Sequence, residues 1–236
     1  MGFSSNLSPD AIKGIGNWAI VASSWAGAGI VMIIIMIISS RVKNIMTVLI
    51  LGIMISSAIA SVVSIMQYFS NETMLKTYII WTMGSLGNLT SEQLGVLALS
   101  LGAGIILSIL SVKMLNALLL GENYASSIGL NVRLARIIIF SGTSILAGSV
   151  TAFCGPIGFI GIAVPHIARI IFRTSDHRVL IPSTVLLGAS IMLLSDIISQ
   201  LPGSEKVLPV NSVTSLVGIP VVIWVIMRNR KYSGAF

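Results

Sequence analysis

Seven apolar runs, most of them close to twenty residues long, divide this chain, and short polar turns separate them. In hydrocarbon every backbone N–H and C=O must find its partner inside the protein. Runs near the ~20-residue spanning length therefore point to helices that cross a bilayer. They cover about residues 17–38, 45–66, 92–112, 134–153, 157–172, 180–200 and 211–227. Charged residues are 9% of the chain, 55% is hydrophobic, and mean hydropathy is +1.00. A soluble domain carries roughly 25% charge, so too little is present to clothe a water-facing surface. A membrane barrel would show alternating segments of ~10 residues, a pattern this sequence lacks. The expected fold is all-α: one polytopic membrane helix bundle over residues 1–236.

The net charge of +7 raises the question of nucleic acid, and its distribution answers it. With the Arg41/Lys43 turn set inside and seven spans alternating, Arg41, Lys43, Lys113, Arg133, Arg136, Arg169, Arg173, Arg178, Arg228, Arg230 and Lys231 fall inside. Lys13, Lys76 and Lys206 fall outside. This excess on one side follows the positive-inside rule and puts the N-terminus outside and the C-terminus inside. Residues 1–16 read as an exposed lead-in, with Ser8-Pro9-Asp10 as a helix start and without the charge order of a cleavable signal. Trp18 and Trp25 read as interface anchors. Small residues in the second run (Gly52, Ser56, Ser57, Ala60, Ser61, Ser64) suit close helix packing. Residues 67–90, polar at both ends and holding Tyr68, Tyr78 and Trp81, read as an interfacial helix on the outer face, closed by Gly84 and Gly87. The single cysteine, Cys154, excludes an internal disulfide.

The polar motifs each admit two readings. Residues 113–133 form either a solvated loop or a short helix near 122–127, a turn at Gly129 and a second short helix able to plug a groove on a partner. His166 and His177 are separated by a charged turn with no carboxylate or cysteine cluster beside them, which favours scaffold roles over metal or haem ligation. His166, directly after Pro165, is expected to satisfy backbone groups that the proline leaves open. Arg169, Arg173 and Arg178 mark the inner interface, and Asp176 is placed to neutralise one of them. Asp196 is the one acid inside a run, near its outer end, where water or a neighbouring helix is able to satisfy it. An intramembrane protease would need a nucleophile with its base, a second acid or a paired-histidine metal motif, and none is present. No Gly-x-x-x-x-Gly-Lys-Ser/Thr phosphate loop occurs, and no selectivity-filter phrase suggests a channel.

Four phrases carry a resemblance: GENYASSIGLNVR, AGSVTAFCGPIGFIGIAVPHIARII, DHRVLIPSTVLLGASIMLLSDIIS and LPVNSVTSLVGIPVVIW, in that order between residues 121 and 230. In them the chain resembles FecCD-type permeases, the membrane subunits of ATP-binding-cassette importers for cobalamin, haem and ferric siderophores. The resemblance implies a homodimer in the cell (inner) membrane, served by two ATP-binding subunits and an external substrate-binding protein. Transport would be by alternating access, with hydrolysis in the partner and no catalytic residue, metal or cofactor in this chain. Glu122, Asn123, Tyr124, Ala125, Ser126, Ser127, Gly129 and Leu130 would form the element that couples to the ATPase. Asn44, Thr47, Ser56 and Ser57 would border the translocation path, and Asp196, Gln200 and Glu205 the outer docking surface. The chain departs from the family pattern at Gln200, where an Arg is usual, and at Asn211, where Gly is common. It also departs in having seven spans for the family's ten, which suggests a sequence lacking the first three helices, and raises the alternative of a non-functional fragment.

Overall fold

The computed structural model describes residues 9–41, 45–87, 89–200, 208–216, 218–220 and 223, and every regular element among them is helical. In chain order these are α1 (Pro9–Arg41), α2 (Ile45–Tyr68), α3 (Glu72–Met83), α4 (Ser91–Leu118), α5 (Glu122–Ser127), α6 (Val132–Cys154), α7 (Ile160–Phe172) and α8 (His177–Ser199). Residues 210–216 and 218–220 continue as helix after Pro209. Five helices (α1, α2, α4, α6 and α8) are long and apolar enough to cross a membrane. With 13 residues, α7 rises only ~20 Å at 1.5 Å per residue, short of the ~30 Å hydrocarbon layer. The all-helical bundle expected from the sequence is present.

Local chemistry moves several boundaries. Pro9 opens α1, where its missing N–H and fixed φ cost nothing, so residues 9–16 are helix and not lead-in. Thr90 and Gln93 form a capping box that starts α4, and α4 then runs on to Leu118, taking in 113–118 from the polar interval. The second helix extends to Tyr68, which leaves the interfacial helix shorter than expected. That helix, α3, has no buried residue and ends at Gly84.

The centre of the bundle is α6, packed between α4 and α1. Glycines permit the approach. A Cβ on Gly104 would lie 2.5 Å from the Leu146 side chain, one on Gly142 3.2 Å from Leu107 Cβ, and one on Gly148 2.9 Å from the Trp25 ring. Trp25, expected as an interface anchor, is tied to α6: its indole N–H donates to Ser149 Oγ at 2.8 Å, while Ser24 Oγ donates to the Gly148 carbonyl at 2.8 Å. The small residues of α2 behave differently from their expected packing role. A Cβ on Gly52 would meet nothing within 4 Å. The hydroxyls of Ser56, Ser57, Ser61 and Ser64 turn back to carbonyls four residues earlier on their own helix. Intrahelical bonding of this kind satisfies a serine in hydrocarbon without any neighbour.

At one end of the bundle α7 and α8 form a hairpin whose turn is clamped to α4. Asn116 Nδ2 donates to Asp176 Oδ1 at 2.6 Å, and Asn116 Oδ1 accepts from the His177 backbone N–H at 2.8 Å and lies 2.7 Å from His177 Nδ1. Asp176 caps α8 through the Arg178 N–H at 2.9 Å. Its carboxylate thus engages a backbone amide and an Asn amide, not a guanidinium as expected. The Arg178 N–H, then the Asn116 amide, hold its pKa below the usual 3.8.

At the other end the chain breaks between α6 and α7. Gly155 has φ +79° and ψ 177°, a region open essentially to glycine, and a Cβ there would run into the Trp81 carbonyl oxygen of α3. Gly155→Ala is expected to cost at least ~2 kcal/mol from backbone strain alone and to lower the folded fraction recovered in detergent. Gly102→Ala, with nothing within 4 Å of the new methyl, should leave folding intact or stabilise it by ~0.5–1 kcal/mol; thermal unfolding of the two variants compares them. A lowered carboxyl pKa gives stability that is full above the unfolded value and is lost as pH falls through the folded one. The Asp176 contribution is therefore lost below pH 3.8, and Asp176→Asn should flatten that acid limb of the melting-temperature profile.

Candidate functional site: the α5 turn and the surfaces around it

The segment from Leu119 to Asn131 is a compact helical corner. Gly121 (φ +97°) ends the approach from α4, and its carbonyl accepts from the Ala125 N–H at 3.0 Å. Ala125 is fully buried at the base of α5. The helix closes at Gly129, φ +90°, with Leu130 N donating to Ala125 O and Gly129 N to Ser126 O, both at 3.0 Å. This pair of bonds is a Schellman closure, which needs a left-handed residue where Gly129 stands. Asn131 then caps α6 by accepting from Leu134 N at 3.1 Å. An ion pair between Glu122 and Arg136 ties α5 to α6. The corner is thus ordered as one short helix and a tight turn and is not an irregular loop, but the second short helix expected after Gly129 is absent, since Asn131 caps the start of the long helix α6.

Most of this corner faces outward. Tyr124 is 49% exposed and Ile128 57%, and Leu119, Leu120 and Leu134 lie exposed around them. Of the eight residues expected to couple to a partner, Ala125 is the anchor and Leu130 is half-buried. Glu122, Asn123, Tyr124, Ser126, Ser127 and Gly129 are exposed. Exposed aromatic and aliphatic side chains on a rigid turn, with polar residues between them, make a surface suited to docking in a groove.

The other expected surfaces are only partly assembled. Ser56 and Ser57 line a cleft of about 680 Å³ between α1 and α2, together with Val31, Ile35, Gly52 and Ala60. Thr47 is exposed but lies away from the residues lining that cleft, and Asn44 lies outside the described residues. On α8, Gln200 Nε2 donates to Asp196 Oδ2 at 2.7 Å, so the acid within the span is satisfied by its own helix. Glu205 lies outside the described residues.

His166 is exposed and makes no hydrogen bond among the described residues, so it does not satisfy the backbone around Pro165. His177 is occupied by Asn116. No group of three or more His, Cys, Asp or Glu side chains that could hold a metal ion occurs among the described residues. Two asparagines matter more than the histidines. Asn116 holds the α4–α8 clamp, and Asn211 bridges α3 to the α6–α7 break, donating to the Thr82 carbonyl at 3.4 Å and accepting from the Gly158 N–H at 3.2 Å. A lone amide at the end of an apolar run is the signal that would have found Asn116.

Curated proteins similar to this chain in sequence are named as permeases. Over 188 residues the chain is 35% identical to the hemin transport system permease protein HmuU of Yersinia pestis, covering 80% of this chain and 56% of that protein. It is 33% identical over 215 residues to the vitamin B12 import system permease protein BtuC of Escherichia coli O9:H4 (strain HS), covering 91% and 65% respectively. A solved structure described as an inward-facing transporter of the metal-chelate ABC type superposes with a TM-score of 0.70 at 30% identity, over 84% of this chain and 63% of that one. The chain therefore spans less than two thirds of the length of these relatives. The FecCD transport family model matches residues 9–228, a stretch that takes in all eight helices, the α5 corner and the α6–α7 break, and the chain belongs to that family.

Proposed function

We propose that this chain is a permease subunit of an ATP-binding-cassette importer that moves an iron chelate, haem or a corrinoid inward by alternating access. The observation that carries the reading is the rigid α5 corner, set on a chain matched by the family model from residue 9 to residue 228. Support for the substrate class comes from the relatives, whose names specify hemin and vitamin B12. The chain works as a homodimer in the inner membrane, with α5 toward the cytoplasm, two ATP-binding subunits beneath it and a substrate-binding protein outside. The charge asymmetry of the turns supports that orientation.

In this mechanism ATP is bound and hydrolysed by the partner. Closure of the ATPase pair displaces α5, and the displacement passes to the spans because α5 is joined to α6 through Glu122 and Arg136 and seated on Ala125. Tyr124 and Ile128 fill the partner groove. Ser56 and Ser57 border the path beside α1, and Asp196 and Gln200 belong to the outer docking face. No cofactor is bound by this chain.

Replacing 122–130 by a Gly/Ser linker is expected to abolish co-purification of the ATP-binding subunit and uptake of the chelate, and unchanged association and uptake would sink the coupling role. Tyr124→Ala should weaken ATPase association about tenfold or more, the scale of an aromatic anchor removed from a buried pocket. Pull-down from membranes expressing both subunits measures it, and the linker variant must still reach the membrane for the comparison to count.

A further inference from the structure

Along its length α3 has no buried residue, and its described ties to the bundle gather at its C-terminal end. Trp81 Nε1 donates to the Thr151 carbonyl at 3.1 Å, Ser85 N donates to the Cys154 carbonyl at 3.0 Å, and the Thr82 carbonyl accepts from Asn211 Nδ2. Cys154, whose carbonyl receives Ser85 N–H just past this end, is the single cysteine of the chain and is 4% exposed. A helix with no buried side chain, whose described hydrogen bonds to the bundle lie at one end, lifts more readily when a bond at that end is lost.

Asn211 is suited to the fastening by its chemistry. Its amide offers one acceptor and a pair of donors on a short stem, and its partners fix which atom goes where, since the Gly158 N–H only donates and the Thr82 C=O only accepts. Both are backbone groups at helix ends, one at the close of α3 and the other just before α7 begins, and a helix end has no partner of its own for such groups. Asn211 itself sits in the first turn of the last helix, its carbonyl accepting from Thr214 Oγ1 at 3.1 Å and Ser215 Oγ at 2.6 Å. One side chain therefore joins three elements: α3, the α6–α7 break and the last helix.

We propose that Asn211 is a positioning residue, a latch whose donated hydrogen bond to Thr82 acts with the Trp81 and Ser85 bonds to hold the end of α3 beside Cys154, so that its loss lets α3 lift from the bundle more often. This goes beyond the transport reading and does not depend on which face of the membrane α3 occupies. The bond to α3 requires a donor, whereas the bond to Gly158 requires an acceptor. Asn211→Asp keeps the second and loses the first, so it should free α3 while preserving the tie between the last helix and the break. Asn211→Ala loses both.

The test uses the full chain in permeabilised membranes and follows modification of Cys154 by a maleimide. Both variants are expected to raise the labelling rate roughly three- to fivefold, the order of population change for losing a long, part-buried hydrogen bond. If Asn211→Ala fails to fold, Asn211→Asp alone decides. A reporter elsewhere separates lifting of α3 from general loosening: Ser111→Cys in a Cys154→Ala background, at a site on α4 that is 3% exposed. It should stay slow with and without Asn211→Asp. A Cys154 rate within about twofold of the parent in Asn211→Asp overturns the latch, as does an equal acceleration at Ser111→Cys. Neither result bears on the ATPase association that tests the transport reading.

Discussion

A helix that stops at the edge of hydrocarbon leaves backbone donors and acceptors bare, and the rest of this bundle depends on how the break between Cys154 and Ile160 is closed. Without water, each unmet N–H or C=O costs several kcal/mol, so the chain supplies partners from far away in sequence. The Cys154 carbonyl receives Ser85 N–H, the Thr151 carbonyl receives the Trp81 indole, and the Gly158 N–H reaches the Asn211 amide. Phe159, at φ +63° and ψ −42°, gives the turn its positive-φ bend and packs where Gly218 leaves room, since a Cβ there would lie 2.7 Å from Phe159 Cβ. Three chain segments are thereby fixed at one place. Just before α7 the Gly158 N–H is met by Asn211, while the first N–H groups of α7 bond to the Gly158 and Phe159 carbonyls within the turn.

The opposite end uses the same principle with charged and amide groups. There the α7–α8 turn is held by Asn116 and Asp176, and α5 by Glu122 and Arg136. The clamp at Asn116 satisfies a backbone N–H and a carboxylate with one side chain, as Asn211 satisfies an N–H and a carbonyl at the far end. Amides are well placed at both positions because one short side chain both donates and accepts.

Hydropathy made the helices legible, and turn chemistry made the α5 corner legible. Gly129 needed a positive φ, and the polar residues on either side of it bounded a short helix. Which helix faces touch was not legible. In a water-soluble helix the buried face is apolar and the exposed face polar, but in a bilayer lipid is as apolar as the core, and the two faces carry the same residues. Gly52 with Ser56 and Gly148 with Ser149 read alike in sequence. The first pair lines an open cleft, while the second receives Ser24 and Trp25 from α1. The bond from Trp25 to α6 was not legible for the same reason, as a tryptophan near a span end serves equally as an interface anchor or as a donor to a neighbouring helix. Asn211 stood out only as a departure from the family pattern, and its two bonds depend on segments 53 and 129 residues away.

The position of α6 links the two ends. It begins beside α5, tied by Arg136, and ends at Cys154, whose carbonyl accepts from Ser85 N–H just past α3. Its 23 residues span ~35 Å at 1.5 Å per residue. Along that length it is packed through glycine contacts with α4 and α1, which bring backbones close and leave few flexible side chains between them to absorb a shift. In the proposed importer, a push on α5 therefore moves α6 as a rod and does not dissipate locally. The far end of that rod carries the Thr151 and Cys154 carbonyls to which α3 is bound. Whether α3 follows α6 or stays behind depends on the bond that ties it to something other than α6, and among the described side chains that bond is made by Asn211.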